Sequence, residues 1–216
     1  MKKLKLVFLF FCLSIVSLKA QFVTAVGIAG GITYGTHVWN PEPFNTQERY
    51  LLGFNGAGLV EFFHSDMVRW RVEVSYNQMG SKQLVYTYYS NRTTYITLNN
   101  YLKIQFRMLH IMPYILIGPR VEYLLINSPQ LSGQEIGAFP KFFFTIAAGP
   151  GLEFNNKSLF RPFIEGFYNR DVLPSYHNIT TTIFYSGFEA RIGVRYLFDN
   201  SDKKAKCPTV INPMGN

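Results

Sequence analysis

Residues 69–77 read RWRVEVSYN, with Arg69, Arg71, Glu73, Ser75 and Asn77 at every second position and Trp70, Val72, Val74 and Tyr76 between them. A β-strand sends those two sets to opposite faces. The apolar set meets a second sheet in a soluble sandwich and lipid in a membrane barrel. The rest of the chain decides between these solvents.

Of the 216 residues, 17% are aromatic, with 20 Phe and 14 Tyr, and only 16% are charged. That aromatic content is high for a soluble domain. The opening MKKLKLVFLFFCLSIVSLKA has a lysine-rich start, an apolar run from Leu6 to Leu18 and Ala20 before Gln21, the pattern of a secretory signal peptide cleaved near Ala20. Cys12, inside that run and behind Phe10 and Phe11, lacks the small preceding residue of a lipoprotein site. Removal of Lys2, Lys3, Lys5 and Lys19 takes 21 basic residues to 17 against 13 acidic, so the net charge falls from +8 to +4. No Lys/Arg run suited to a nucleic acid survives, and the mild positive excess suits anionic lipid headgroups. Cys207 then stands alone, as a free thiol or a partner for another chain, and there is no intramolecular disulfide framework.

No stretch after residue 20 has the length of an apolar transmembrane helix. Alternating segments recur instead, near 22–36, 50–63, 67–80, 93–107, 112–126, 140–154, 159–170 and 183–198. Their connections alternate in length. FHSDMV, RMLHIM and FNNKSLF have room only for tight turns, whereas THVWNPEPFNTQER, GSKQLVYTYYSNRT, NSPQLSGQEIGAF and RDVLPSYHNITT are long and polar. The expected fold is therefore all-β: an eight-stranded antiparallel transmembrane β-barrel with short periplasmic turns and long extracellular loops, in the outer membrane. Residues 1–20 read as signal peptide, 21–198 as barrel and 199–216 as a flexible periplasmic tail.

Parity assigns the faces. Leu98, Leu102, Ile104 and Phe106 oppose Tyr101, Lys103, Gln105 and Arg107; Ile115, Ile117, Val121, Tyr123 and Leu125 oppose Leu116, Gly118, Arg120 and Glu122. Phe184, Phe188, Ile192, Val194 and Tyr196 oppose Glu189, Arg191 and Arg195. In the seventh segment Glu165 shares a side with Phe163 and Phe167, so alternation is weak there, and the first two segments are Gly/Ala-rich with ambiguous facing. The inferred lumen set is Arg69, Arg71, Lys103, Arg107, Arg120, Arg191 and Arg195 against Glu61, Glu73, Glu122, Glu153, Glu165 and Glu189. An eight-stranded barrel has an interior just wide enough for side chains, and charges removed from water must pair there. The near-balance points to a self-neutralised structural network. A narrow polar pathway is the competing reading.

The run TTYITLNNYLKIQFR, PYILIGPRVEYLL, FTIAAGPGLEF, FRPFIEGFYN and FEARIGVRYLF resembles the PorT-like outer-membrane β-barrel family of Gram-negative bacteria across most of residues 22–198. NYLKIQF is similar to that family's Tyr-Leu-Glu-Ile-Pro strand, with Lys103 where Glu is common and Gln105 where Pro is common, and YILIGPRVEYLL is similar to its Gly-Pro strand. The resemblance implies an eight-stranded outer-membrane barrel and, by analogy with the family's namesake, an accessory role in type IX-like secretion. Its partners would be outer-membrane lipid and other outer-membrane or periplasmic secretion proteins.

The remaining features have plain readings. Tyr76, Tyr86, Tyr88, Tyr89, Tyr95, Tyr185 and Tyr196 are expected to contribute to an interfacial aromatic girdle. The NRT, NKS and NIT tripeptides are chance sequons in a bacterial chain. His37, Asp171, Ser175 and His177 contain the residue types of a lipid-modifying enzyme, but no motif frames them. The four histidines are scattered, so no metal or other cofactor is expected. A non-enzymatic structural or accessory barrel is the first reading, with the lipid-modifying enzyme and a small-solute channel as alternatives.

Overall fold

The computed structural model describes residues 23–40, 47–63, 65, 67–84, 88–106, 108, 110–129, 141–155, 158–174, 176–177 and 182–198. Residues 1–22, expected as signal peptide and the start of the barrel, residues 199–216, expected as a tail and including Cys207, and Arg107, Tyr86 and Ser175 lie outside the described residues. Among the described residues nine strands form one antiparallel sheet: β1 Val23–Asn40, β2 Gln47–Phe62, β3 Val68–Leu84, β4 Tyr88–Gln105, β5 Ile111–Pro129, β6 Phe142–Phe154, β7 Phe160–Asp171, β8 Tyr176–His177 and β9 Thr182–Leu197. Each long strand pairs with the next, β7 pairs with β9, and β9 returns to β1 from Ala25↔Leu197 to Asn40↔Thr182, closing an eight-stranded barrel. The two-residue β8 pairs only with the start of β9, at Ile183 and Thr182.

The alternation read from sequence becomes two solvents. Ile28, Ile32, Phe54, Val74, Leu98, Ile115, Phe144, Ile164 and Ile192 lie exposed on the outer wall, a band suited to lipid, while the opposite parity is buried in the lumen. Trp70, Val74 and Tyr76 of the opening stretch face out, and Arg71, Glu73, Ser75 and Asn77 face in. Phe142, which begins the sixth strand, is also exposed on the outer wall.

Three details differ from the sequence reading. The strands run well past the apolar band: Ser81 pairs with Asn91 and Lys82 with Ser90, so much of the segments expected as the first two long loops is strand. Ser81, Lys82, Ser90, Asn91 and Arg92 interrupt the apolar alternation there, and backbone pairing continues after that alternation has stopped. The seventh strand alternates strictly in burial from Phe160 to Asp171, because Phe163 and Phe167 lie in the lumen with Glu165. Tyr95 and Tyr185, expected among girdle residues, are buried inside at 7% and 5% exposure. Tyr76 and Tyr196 are on the outer face, where Tyr76 stacks on Phe54 and Tyr196 meets Phe160.

Close approach at the β1–β9 seam sets a steric requirement. A Cβ on Gly31 would lie 1.9 Å from the Ala190 carbonyl oxygen, whereas one on Gly58 would meet nothing within 4 Å. Gly31→Ala is expected to destabilise the barrel by about 1–3 kcal/mol and Gly58→Ala by less than about 0.5 kcal/mol, measured by urea unfolding in lipid vesicles. On the lipid face, Ile192→Arg is expected to lower stability by about 2–4 kcal/mol, and Val38→Arg, toward the rim with the long connections, by no more than about 1 kcal/mol.

Candidate functional site: the charged lumen

The lumen is built in layers by alternate residues of all eight long strands. Nearest the short turns, Glu61 of β2 is surrounded by cations. Arg71 Nη2 lies at 2.7 Å, Lys103 Nζ at 3.0 Å and Arg69 Nη1 at 3.5 Å, and Arg195 pairs with its second oxygen. Glu153 of β6 pairs with Arg195, with Lys103 at 3.3 Å and with Arg161 at 3.4 Å. Lys103 and Arg195 each bridge these two carboxylates, tying β2, β4, β6 and β9 together.

One layer further in, Glu165 pairs with Arg71, with Arg191 at 3.0 Å and with the Tyr114 hydroxyl at 2.5 Å. Glu73 takes Arg191 at 3.0 Å and Arg71 at 3.4 Å and accepts a hydrogen bond from Asn99 Nδ2 at 3.4 Å. Aromatic rings line the same space. Lys103 Nζ is 4.2 Å from the centre of the Tyr114 ring, and the Arg191 guanidinium is 4.4 Å from that of Phe167, geometry in which ring quadrupoles attract cations.

Toward the long connections Arg120 is the central cation. It meets Glu189 at 2.9 Å and Glu122 at 3.8 Å, and its Nε donates to Asn99 Oδ1 at 3.0 Å. Asn169 donates to Glu189 at 2.7 Å and Thr145 to Glu122 at 3.0 Å. Beyond this layer Met79, Tyr95, Phe143 and Tyr185 form an apolar cluster, with Leu124 packed against it. The Asp171 carboxylate, on the lumen side of β7, accepts the Tyr185 backbone N–H at 2.8 Å.

The structure therefore brings Glu61, Arg69, Arg71, Glu73, Lys103, Arg120, Glu122, Glu153, Glu165, Glu189, Arg191 and Arg195 into one continuous interior network. Arg107, in the same predicted set, lies outside the described residues. Sequence parity missed Arg161 and Asp171, although both share a strand and a phase with Glu165. It also missed the rings that fill the space between charges. Among the described residues, no group of three or more His, Cys, Asp or Glu side chains could hold a metal ion.

Removing one partner from a buried ion pair leaves an uncompensated charge, at about 3–5 kcal/mol. Glu61→Gln strips the carboxylate from among four cations and is expected to lower stability by that amount. Lys103→Met is expected to have a smaller effect, since Glu61 and Glu153 both keep arginine partners. Urea unfolding of vesicle-inserted protein measures both, and a Glu61→Gln variant as stable as the wild type would show that the network contributes no stability.

No family model matches the chain, and no curated protein is significantly similar to it in sequence. Solved structures resemble its fold. The outer membrane protein OprG from Pseudomonas aeruginosa is 10% identical, with a TM-score of 0.55 over 82% of this chain and 97% of that one. Neisserial surface protein A is 14% identical, with a TM-score of 0.50 over 81% and 99%. At such identities the likeness concerns fold, and the fold is the closed eight-stranded transmembrane barrel.

Proposed function

We propose that the protein is a non-enzymatic outer-membrane barrel that acts as a structural or accessory component, with its lumen closed by its own side chains and its short turns toward the periplasm. The observation that carries this reading is the continuous buried network. Each of its six glutamates has a cationic partner, and an apolar cluster lies beyond it toward the long connections. A solute path would require several of these pairs to open together in a space of low dielectric. The engagement of Asp171 with the Tyr185 amide favours a structural role for that carboxylate over service to a catalytic histidine. With the interior occupied, the surfaces left for partners are the outer wall and the two rims. The sequence resemblance to the PorT-like family gives the concrete version, an accessory of a type IX-like secretion system.

Two measurements test the proposal. Purified protein in a planar bilayer is expected to give no steady conductance; a stable open level would make it a channel. A pull-down from detergent-solubilised outer membranes, read by mass spectrometry, is expected to recover secretion components. Recovery of the barrel alone would remove the secretion role and leave a stand-alone one.

A further inference from the structure

Charge in the lumen balances as a whole but is sorted by height. Among the described residues, Arg69, Arg71, Lys103, Arg161 and Arg195 lie within three residues of the strand ends at the short turns, against only Glu61 and Glu153. Five or six residues in, Glu73 and Glu165 outnumber Arg191, and eight to eleven residues in, Glu122, Asp171 and Glu189 outnumber Arg120. Five cations less two carboxylates leave an excess of three positive charges at the end with the short turns, and the two layers beyond carry the matching negative excess. Arg71 reaches Glu73 and Glu165 of the next layer, which spreads the offset without removing it.

The surroundings direct this field. The outer wall is apolar, and at the negative end Met79, Tyr95, Phe143 and Tyr185 pack together inside the barrel. A low-dielectric wall focuses field lines, so the excess is felt at the mouth with the short turns. Arg69 is the cation that reaches that mouth, with its side chain 14% exposed where those of Arg71, Lys103, Arg161 and Arg195 are at most 4% exposed.

Width and lining identify what can answer it. An eight-stranded interior is only as wide as side chains, so an anion enters best on a side chain, as the carboxylate of a peptide. Phe63, Met67 and Met108 of the short connections are exposed, offering apolar contacts to the flanks of such a peptide. The chain supplies no acidic complement of its own. Its short connections carry Asp66 against Arg107 and Lys157, and residues 199–216 carry Asp199 and Asp202 against Lys203, Lys204 and Lys206.

We propose that this mouth, centred on Arg69, docks an acidic segment of a periplasmic protein, with glutamate or aspartate flanked by apolar residues. Arginine and carboxylate form a charge-assisted pair. The proposal rests on the accessory role and on the periplasmic direction of the short turns proposed above.

The test uses the full mature chain in phosphatidylcholine nanodiscs, scored for folding by heat-modifiable gel mobility. The probes are an end-capped peptide Gly-Phe-Glu-Glu-Phe-Gly carrying an uncharged dye, and its counterpart with glutamine for glutamate, read by fluorescence anisotropy. The wild type is expected to prefer the glutamate peptide, with the preference shrinking as salt is raised. Arg69→Gln removes a cation, and Gln105→Glu adds a carboxylate at the last lumen-facing position of β4 with little change of shape. Each is expected to weaken binding about fivefold, and if Arg69→Gln fails to fold, Gln105→Glu carries the test. Lys82→Gln with Arg92→Gln, which removes two charges at the opposite end, should leave binding at the wild-type level. Equal binding of the two peptides, a loss in the Lys82 and Arg92 variant as large as that in the mouth variants, or displacement by inorganic phosphate at the peptide's own concentration would overturn the proposal. Peptide preference without secretion components in the pull-down would support the docking mouth while removing the secretion role; recovery of those components by a wild type blind to the glutamates would remove the mouth alone.

Discussion

Hydrocarbon offers no hydrogen bonds to a sheet edge, so the pairing of β1 with β9 is the constraint from which the remaining architecture follows. Sixteen residue pairs from Ala25↔Leu197 to Asn40↔Thr182 form that seam, and it is made at close range, which is why Gly31 can carry no side chain there. Closure with eight strands leaves an interior only as wide as the side chains that fill it. Any charge directed inward then has other side chains as its nearest partners, and the ion-pair network is the arrangement that satisfies them.

The two sides of the wall invert the usual order of a globular protein. Large hydrophobic residues such as Ile28, Leu52, Phe144 and Ile192 are exposed on the outer wall, and the largest fully buried side chains include Arg71, Arg120, Arg191 and Arg195. The mean hydropathy of +0.04 averages an apolar outside and a charged inside. A bulk composition can therefore look unremarkable while its parity is strongly segregated.

That segregation made most of the fold legible in the sequence. Strands such as 98–106 and 115–125 keep charge on one phase, so both their existence and their facing follow from period two. Legibility fails where one side of the wall stops being uniform. On β7, Phe163 and Phe167 lie inward with Arg161, Glu165 and Asp171 because rings as well as charges fill the lumen, and the polar phase blurs. At the ends of β3 and β4 the run Ser81, Lys82, Gln83 and Ser90, Asn91, Arg92 breaks the apolar alternation, so the hairpin reads as loop although its backbone pairing continues to Leu84↔Tyr88. Which glutamate meets which arginine was not legible at all, since those contacts depend on strand tilt and closure across the barrel.

The contact between Glu61 and Arg195 joins positions 134 residues apart, and that between Arg191 and Glu73 joins positions 118 apart. Loop-closure entropy has to be overcome before such distant contacts give any return. A chain with only its first strands paired would present Glu61, Arg71 and Glu73 on an open sheet, facing either water or hydrocarbon, with Arg191 and Arg195 still elsewhere. In hydrocarbon such half-networks are prohibitively unfavourable, so the curled sheet must keep its inner face wet until the last strand arrives. Glu73 and Glu61 meet Arg191 and Arg195 only once β9 has joined the sheet, so the interior is fully neutralised only in the closed barrel.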